Sequence, residues 1–141
     1  MKCRIEHANL TVKSTDEAIR FLTTAFPDFK VRGDGQSDNG EFQKHWLHVG
    51  TDQTYFALEE ITPGTESGRK PYRDPGVNHV GFVVDDLEAL ISRLETAGYE
   101  TGDLAEEIDI RKRTYIFDGN GVEWEFVQYL TDDSQKANVY S

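Results

Sequence analysis

The chain has 141 residues, with 26 acidic side chains against 15 basic ones and a formal net charge of −11 at pH 7. This length suits one compact unit or two closely packed half-domains. The negative charge opposes attraction to phosphate backbones and anionic lipid, so neither nucleic-acid nor membrane partners are expected.

A single cysteine and the lack of long apolar runs indicate the cellular setting. Cys3 is the one cysteine of the sequence, whereas a disulfide or a thiolate metal cluster needs at least two. The sequence contains no run of about 18 apolar residues, and its N-terminal segment lacks the apolar core of a signal peptide. We therefore expect a soluble protein of the reducing cytoplasm.

The first predicted module begins with a strand over residues 5–12 and continues with a helix. Ser14 and Glu17 have the spacing of a capping box, and Pro27 ends the helical pattern. Apolar residues recur in between at intervals of three and four, which is typical of a helix that packs on a sheet. The Gly- and Asp-containing segment 33–40 is predicted as a turn. Strands are predicted at residues 29–32, 42–49 and 54–60.

The second predicted module repeats this order after a linker. The linker, residues 62–75, holds three of the four prolines. It includes Tyr72 and Arg73, which lie either at the rim of a cavity or in a solvated loop. A strand over residues 77–84 then precedes a helix that Gly98 ends. Further strands are predicted at residues 99–102, 108–117 and 122–130.

A sequence repeat relates the two modules. The shift that superposes His7 on His79 also superposes apolar pairs, namely Val12 and Val84, Leu22 and Leu94, and Ala25 and Ala97. The sequence therefore predicts an α+β fold of two tandem βαβββ modules, with a curved mixed sheet around a central cavity and helices outside. The predicted boundaries are residues 1–61 for the first module, 62–75 for the linker, 76–130 for the second module and 131–141 for a loosely ordered tail.

The two repeated histidines lie on strands whose faces alternate. In the first strand, the set that includes His7 alternates with a more apolar set, Ala8, Leu10 and Val12, which should pack on the helix. This places His7 on the opposite, concave face, and the repeat places His79 in the same way. A single histidine is more often structural, but two at equivalent positions indicate a shared role as ligands.

The last predicted strand carries two carboxylates on one face. Trp124 and Phe126 alternate with Glu123 and Glu125, so the acidic pair lies on the non-aromatic face. A solvated face, or ion pairs with the arginines of the preceding strand, would explain this pattern. Together with the two repeated histidines, however, one carboxylate completes a set that leaves open positions on a divalent metal for substrate and water.

These features resemble the vicinal oxygen chelate superfamily. The resemblance rests on the strands at His7 and His79, on the strand–helix–three-strand order and on the ending formed by residues 117–128, and it extends over residues 5–129. The superfamily includes glyoxalase I, the fosfomycin- and bleomycin-resistance proteins and extradiol dioxygenases.

The resemblance implies metal ligands on the first strands and on the last strand of the second module. Carried over to this sequence, they are His7, His79 and Glu125. Ala57 stands where a protein similar to glyoxalase I would carry another carboxylate. Glu59 shares its face and replaces it if the strand is shifted by two residues.

The function implied is that of a metal-dependent enzyme whose ion binds two neighbouring oxygens of a small metabolite. The chemistry would be that of a glyoxalase-like lyase or isomerase, or extradiol oxygenation if the metal is Fe(II), while Zn, Mn, Ni and Co suit the ligand set equally. Glu123 is the candidate for proton transfer at the substrate. A homodimer is also implied, since superfamily members often pair their modules between chains.

Three further side chains are candidates for contact with the substrate. His45 and His48 have opposite parity on one predicted strand, so at most one enters the cavity, and His48 is the candidate. Arg111 and Arg113 share a face of a later strand. They either bind an anionic group of the substrate or pair with nearby carboxylates, and we expect one arginine to remain for the substrate.

A binding protein is the alternative function. Bleomycin-resistance proteins sequester a drug without metal, and a net charge of −11 suits a cationic ligand. A purely sequestering cavity does not require two equivalent histidines and a carboxylate, which favours the enzyme.

Overall fold

The structure is a computed structural model that describes residues 3–139. Residues 1, 2, 140 and 141, which belong to the predicted first module and tail, lie outside this range. The chain divides into two compact units between Gly68 and Arg69, within the predicted linker. Over the described residues, every helix is too short or too polar to cross a lipid bilayer.

The first unit is a four-stranded mixed sheet with one helix. The sheet has the order β1-β4-β3-β2, in which β1 and β4 are parallel and the other pairs are antiparallel. Its elements are β1 (His7–Val12), α1 (Thr15–Ala25), β2 (Lys30–Asp38), β3 (Gln43–Gly50) and β4 (Tyr55–Thr62).

The second unit repeats this topology. Its sheet has the order β5-β8-β7-β6, and here too the first and last strands pair in parallel. Its elements are β5 (His79–Val83), α2 (Leu87–Thr96), β6 (Ala105–Glu107), β7 (Arg111–Phe117), β8 (Glu123–Tyr129) and a short helix, α3 (Ser134–Ala137). The predicted α+β class with two tandem βαβββ modules is therefore confirmed.

The extent of β2 differs from the prediction. Residues 33–40, predicted as a turn, continue the strand as far as Asp38, after a bulge between Val31 and Gly33. Gly, Asp and Ser are poor strand formers, but pairing with β3 from Gly33 opposite His48 to Asp38 opposite Gln43 overrides that preference.

The strands before β8 also begin and end at other positions. The predicted strand 108–117 starts only at Arg111, after a turn that follows β6. The predicted strand 99–102 contributes a single bridge, from Thr101 to Ile116. In the tail, α3 occupies part of a stretch for which the sequence predicts little order.

Each helix packs on one face of its sheet, and the apolar core lies between them. In the first unit Phe21 and Leu22 of α1 are fully buried, as are Val49 and Leu58 of the sheet. In the second unit the corresponding strand residues include Trp124 and Phe126. We call the opposite side of each sheet its helix-free face; it carries His7 in the first unit and His79, Glu123 and Glu125 in the second.

Both helices start on a side chain of the last strand. The backbone N–H of Thr15 donates to Oε2 of Glu60 at 2.8 Å, and that of Leu87 donates to Oε1 of Gln128 at 3.0 Å. Ser14 and Asp86 cap the same helices through their own side chains. The predicted helix starts are confirmed. Each helix is also hydrogen-bonded to the last strand of its sheet, whose alternate side chains lie on the helix-free face.

Burial predicts how much stability is lost when a phenylalanine of the second sheet is replaced by alanine. Phe126→Ala should lower the free energy of unfolding by about 3–5 kcal/mol, because the ring is fully buried and a cavity remains. Phe117→Ala, at a position that is 56% exposed, should cost about 1 kcal/mol or less. Urea titration followed by circular dichroism measures both values. Equal losses would contradict the assignment of the two faces.

Candidate metal-binding site

Strand register in the second unit brings three candidate side chains, His79, Glu123 and Glu125, to one place. Because β5 and β8 are parallel neighbours, His79 lies opposite Glu123 and Gly81 lies opposite Glu125. Side chains two residues apart on a strand share a face, so both carboxylates lie on the same face as His79. Opposite Glu125 stands Gly81, where even a Cβ would approach Oε2 of Glu125 to 3.4 Å.

Within this group, His79 and Glu125 lie in direct contact. Nε2 of His79 lies 3.2 Å from Oε2 of Glu125, and the Glu125 side chain is only 15% exposed. The hydroxyl of Tyr115 donates to the other carboxylate oxygen, Oε1, at 2.8 Å. Burial and this hydrogen bond raise the pKa of Tyr115, so its hydroxyl stays a donor at neutral pH.

Tyr72 joins this cluster from the segment that precedes β5. Its hydroxyl donates to Oε2 of Glu123 and lies 3.0 Å from Nδ1 of His79. The hydrogen bond to Glu123 is the main reason that the pKa of Tyr72 rises to about 12. Tyr72 is 61% exposed in an irregular segment and its hydroxyl reaches this cluster, so it combines features of both alternatives.

The basic cluster on β7 divides into separate roles. Arg111 is buried and makes two hydrogen bonds to Glu107, and it also donates to the backbone carbonyls of Ala137 and Val139. The hydrogen bonds to Glu107 raise the pKa of Arg111 above its ordinary value, and the bonds to the two carbonyls hold the tail. Lys112 pairs with Glu88 on α2 at 3.0 Å.

Arg113 has weaker contacts. Its Nη2 lies 3.7 Å from Oε1 of Glu107, which already accepts a hydrogen bond from Arg111. Nε of Arg113 stands out among the buried side-chain polar atoms of residues 3–139 because it has no hydrogen-bond partner. It borders a concavity of about 240 Å³ lined by Arg111, Arg113, Tyr115, Glu125, Val127 and Tyr129.

In the first unit, His7 lies against Tyr55. Nδ1 of His7 is 3.0 Å from Oε2 of Glu6, and its ring stacks on Tyr55 with a centroid distance of 4.9 Å. In the strand register His7 lies opposite Tyr55 and Asn9 opposite Ala57. Ala57 therefore occupies the position that Glu125 occupies in the second unit, as the sequence alignment of the modules predicts.

The other possible carboxylate of the first unit has a different environment. Glu59 lies opposite Thr11 and is held by Lys44 and Asn9, each with its nitrogen 3.4 Å from Oε1. Glu59 therefore lies two residues further along β4 than Ala57. To act as a ligand in its place, Glu59 would need the strand to be shifted by those two residues.

The two remaining histidines lie on opposite faces of β3. His48 lies opposite Ala57 and its ring is 4.7 Å from that of Tyr55, so it shares the helix-free face with His7. His45 points to the helix, where its Nδ1 is 3.0 Å from Oγ1 of Thr15. The difference in parity predicted from the sequence is thus confirmed.

The donor atoms of His79 and Glu125 suit a divalent cation, since imidazole nitrogen and carboxylate oxygen are common ligands of transition metals. Three or more His, Cys, Asp or Glu side chains in an arrangement that could hold a metal do not occur within residues 3–139. The contacts among these residues thus supply one pair of donors.

The sequence analysis did not identify Tyr115 as part of the candidate site, and it left Tyr72 between the rim of a cavity and a solvated loop. Tyr115 follows Arg111 and Arg113 in alternation on β7, and that pattern could have placed it on the same face as Glu125. Tyr72 carries no comparable signal, because its position depends on the course of an irregular segment.

The pKa of Tyr72 predicts a measurable titration. The folded protein favours the neutral phenol, so a proton that the unfolded chain releases near pH 10 stays bound until about pH 12. The resulting stabilisation is complete below pH 10 and is lost as the pH rises towards 12. Phenolate absorbance should show a late component that Tyr72→Phe removes and Glu123→Ala moves to lower pH. Loss of an early component in Tyr72→Phe would contradict the assignment.

Comparison with known proteins supports the architecture. Solved structures that share it include the following three. A glyoxalase family protein from Bacillus cereus is 20% identical to this chain and superposes with a TM-score of 0.76. The match covers 93% of this chain and 97% of the Bacillus cereus protein. A fosfomycin resistance protein from Listeria monocytogenes is 13% identical, with a TM-score of 0.67. The match covers 97% of this chain and 99% of that protein. An antibiotic binding protein, TnmS3 from Streptomyces sp. CB03234, is 17% identical, with 91% and 97% covered and a TM-score of 0.63.

At these identities the structures show a common fold. No curated protein sequence matches the chain. The family model of the Glyoxalase/Bleomycin resistance protein/Dioxygenase superfamily matches residues 4–126, which is most of the sequence. The resemblance seen in the repeated strands is confirmed, and this chain belongs to that superfamily.

Proposed function

We propose that the protein is a cytoplasmic, metal-dependent enzyme that acts on a small molecule with two neighbouring oxygen atoms. His79 and Glu125 would supply two ligands of the divalent ion, and His7 is the further ligand that the family resemblance implies. The observation that carries the proposal is the 3.2 Å approach of His79 Nε2 to Glu125 Oε2 on the helix-free face. A catalytic zinc site uses three protein ligands, and an imidazole nitrogen and a carboxylate oxygen so placed would supply two of them.

The first-strand histidines of both units support this role. Nδ1 of His7 is held by Glu6, and Nδ1 of His79 is held by Tyr72. In each ring Nε2 is then the nitrogen that remains for a ligand bond, and a hydrogen-bonded Nδ1 is the usual arrangement in metal-binding histidines. When bound, the ion would supply Lewis-acid stabilisation of negative charge that develops on the substrate.

The residues around this pair suggest how a substrate is held. We propose Arg113, rather than Arg111, as the group that binds an anionic part of the substrate, because Arg111 is saturated by Glu107 and the tail carbonyls. His48 is proposed as a contact from the first unit, where it shares the helix-free face with His7.

Proton transfer is proposed for Glu123. Its carboxylate lies opposite His79 in the strand register and two residues from Glu125, so it borders the position that the reacting atoms would occupy. Tyr72 already donates to it, which orients the carboxylate and leaves its other oxygen to accept a proton from the substrate. Lyase or isomerase chemistry that moves a proton would use such a group beside the substrate.

Drug sequestration is the second candidate. Ala57 replaces a carboxylate at the position equivalent to Glu125, and the charge of −11 suits a cationic ligand. The antibiotic binding protein TnmS3 shares the fold, which supports a binding role as a candidate. Ligand binding that is unchanged by removal of metal would favour this candidate.

A homodimer is also proposed. Each sheet is open, with β1 and β2 at the edges of the first and β5 and β6 at the edges of the second. Exposed strand edges are usually covered in native proteins, and a second copy would do so. Analytical ultracentrifugation tests this, and a monomer at micromolar concentration would refute it.

Metal affinity tests the ligand set. Chelator-treated protein should bind Co(II) in calorimetry, and His79→Ala or Glu125→Ala should weaken binding by more than the ~10–100-fold typical of outer-shell partners. His7→Ala should do the same. His45→Gln is the matched control, because this histidine faces α1 and bonds to Thr15. Wild-type protein that binds neither Co(II), Zn(II), Mn(II) nor Fe(II) would overturn the enzyme proposal in favour of sequestration.

An anionic probe tests the role of Arg113. Inorganic phosphate should bind the Co(II)-loaded protein about tenfold more weakly after Arg113→Gln, because a charged hydrogen bond is lost. Lys112→Gln makes the same change in net charge on the same strand, but Lys112 pairs with Glu88, so phosphate affinity should be retained. Equal effects of the two variants would mean that Arg113 acts only through its charge and makes no specific contact with phosphate.

A further inference from the structure

We propose that the first unit has a second ligand site, on the helix side of its sheet, and that this site binds a linear polyamine. The site is a concavity of about 480 Å³, a volume within the range of small-molecule pockets. Its lining residues come from β2, β3 and β4 of the unit that ends at Gly68. They differ from the residues proposed for metal, so the inference does not depend on the proposed function.

The concavity forms where the sheet extends beyond the start of α1. On this face His45 lies opposite Glu60, and both contact Thr15, the first residue of α1. The next pair, Gln43 opposite Thr62, lies two residues further along the strands and is exposed. Because α1 begins at the level of the first pair, the sheet surface around the second pair is left open.

A buried threonine fixes two side chains at the inner end of the concavity. Thr15 is only 1% exposed. Its N–H and its hydroxyl both donate to Oε2 of Glu60, at 2.8 and 3.0 Å, and its Oγ1 lies 3.0 Å from Nδ1 of His45. Among the contacts within residues 3–139, the other oxygen of Glu60, Oε1, has no hydrogen-bond partner. A fixed carboxylate with one oxygen left to accept suits an ammonium group.

The lining favours a cation. All eight lining residues have polar or charged side chains, and Glu60 and Asp38 supply carboxylates. Lys44 supplies an ammonium group, but its Nζ lies 3.4 Å from Oε1 of Glu59, whose side chain is on the helix-free face. The charge of Lys44 is therefore offset outside the lining, and the concavity keeps a negative charge in a chain of net charge −11.

The spacing of the two carboxylates favours a long ligand with a charge at each end. Glu60 is on β4 and Asp38 on β2, with β3 between them. Asp38 lies opposite Gln43, two residues along β3 from the His45 that faces Glu60. Their Cα atoms are therefore separated by about 10 Å across the sheet and about 7 Å along the strands. An extended polyamine covers this span, and the amide oxygens of Gln36 and Gln43 can accept from an amine between its ends.

Calorimetry with spermidine tests the site on chelator-treated protein, so that metal takes no part. The wild type should bind one equivalent. Glu60→Gln and Asp38→Asn should each weaken binding about tenfold, because a charged hydrogen bond becomes a neutral one. Both variants keep an oxygen that can accept the existing hydrogen bonds from Thr15 and from the N–H of Gly40, so the fold should be retained.

Glu66→Gln is the matched control. It makes the same change in net charge on an exposed side chain of the same unit, one that pairs with Lys13, and should leave spermidine affinity unchanged. Wild-type protein that does not bind spermidine, or an equal loss of affinity in Glu66→Gln, would overturn the inference.

A second probe tests whether both carboxylates are used. Butylamine has a single ammonium group, so it should bind the wild type about tenfold more weakly than spermidine. Equal affinities for the two amines would contradict a ligand that spans Glu60 and Asp38. Failure of the protein to bind Co(II) would overturn the proposed function alone, because spermidine binding is measured without metal.

Discussion

The parallel pairing of the first and last strands in each unit is the constraint on which the rest of the structure depends. It sets His7 opposite Tyr55 and His79 opposite Glu123. Because strand side chains alternate, this one register decides that Glu125 lies on the histidine face and that Trp124 and its aromatic neighbours fill the core. A shift by one residue would exchange the two sets and remove both the core and the site.

The same pairing also shows how a repeated unit has become asymmetric. Equivalent register positions hold Tyr55 and Ala57 in the first unit and Glu123 and Glu125 in the second. The first unit therefore surrounds its histidine with an aromatic ring, whereas the second surrounds it with carboxylates and tyrosine hydroxyls. Different partners on one scaffold explain how the repeated units can retain the fold while, within residues 3–139, the first-strand histidine of the second unit pairs with a carboxylate of its last strand and that of the first unit does not.

The helices reinforce this arrangement from the other side of each sheet. Glu60 and Gln128, on the last strands, accept hydrogen bonds from the first turns of α1 and α2. Each helix start is thereby fixed to the strand whose other face carries the functional positions. A carboxylate at the start of α1 also complements the positive end of the helix dipole. The positions of the polar side chains on the helix-free face therefore depend on helix packing at the other face.

The sequence by itself determined the repeat, the two amphipathic helices with their caps, and the faces on which His7, His79 and Glu125 lie, because these follow from local periodicity. Only the tertiary structure decided how far β2 extends, since its pairing with β3 overrides residue preference. It also decided that Arg111 is saturated while Arg113 has an unpaired nitrogen, and that Tyr72 reaches His79. These outcomes depend on contacts between distant or irregular segments, for which no sequence period exists.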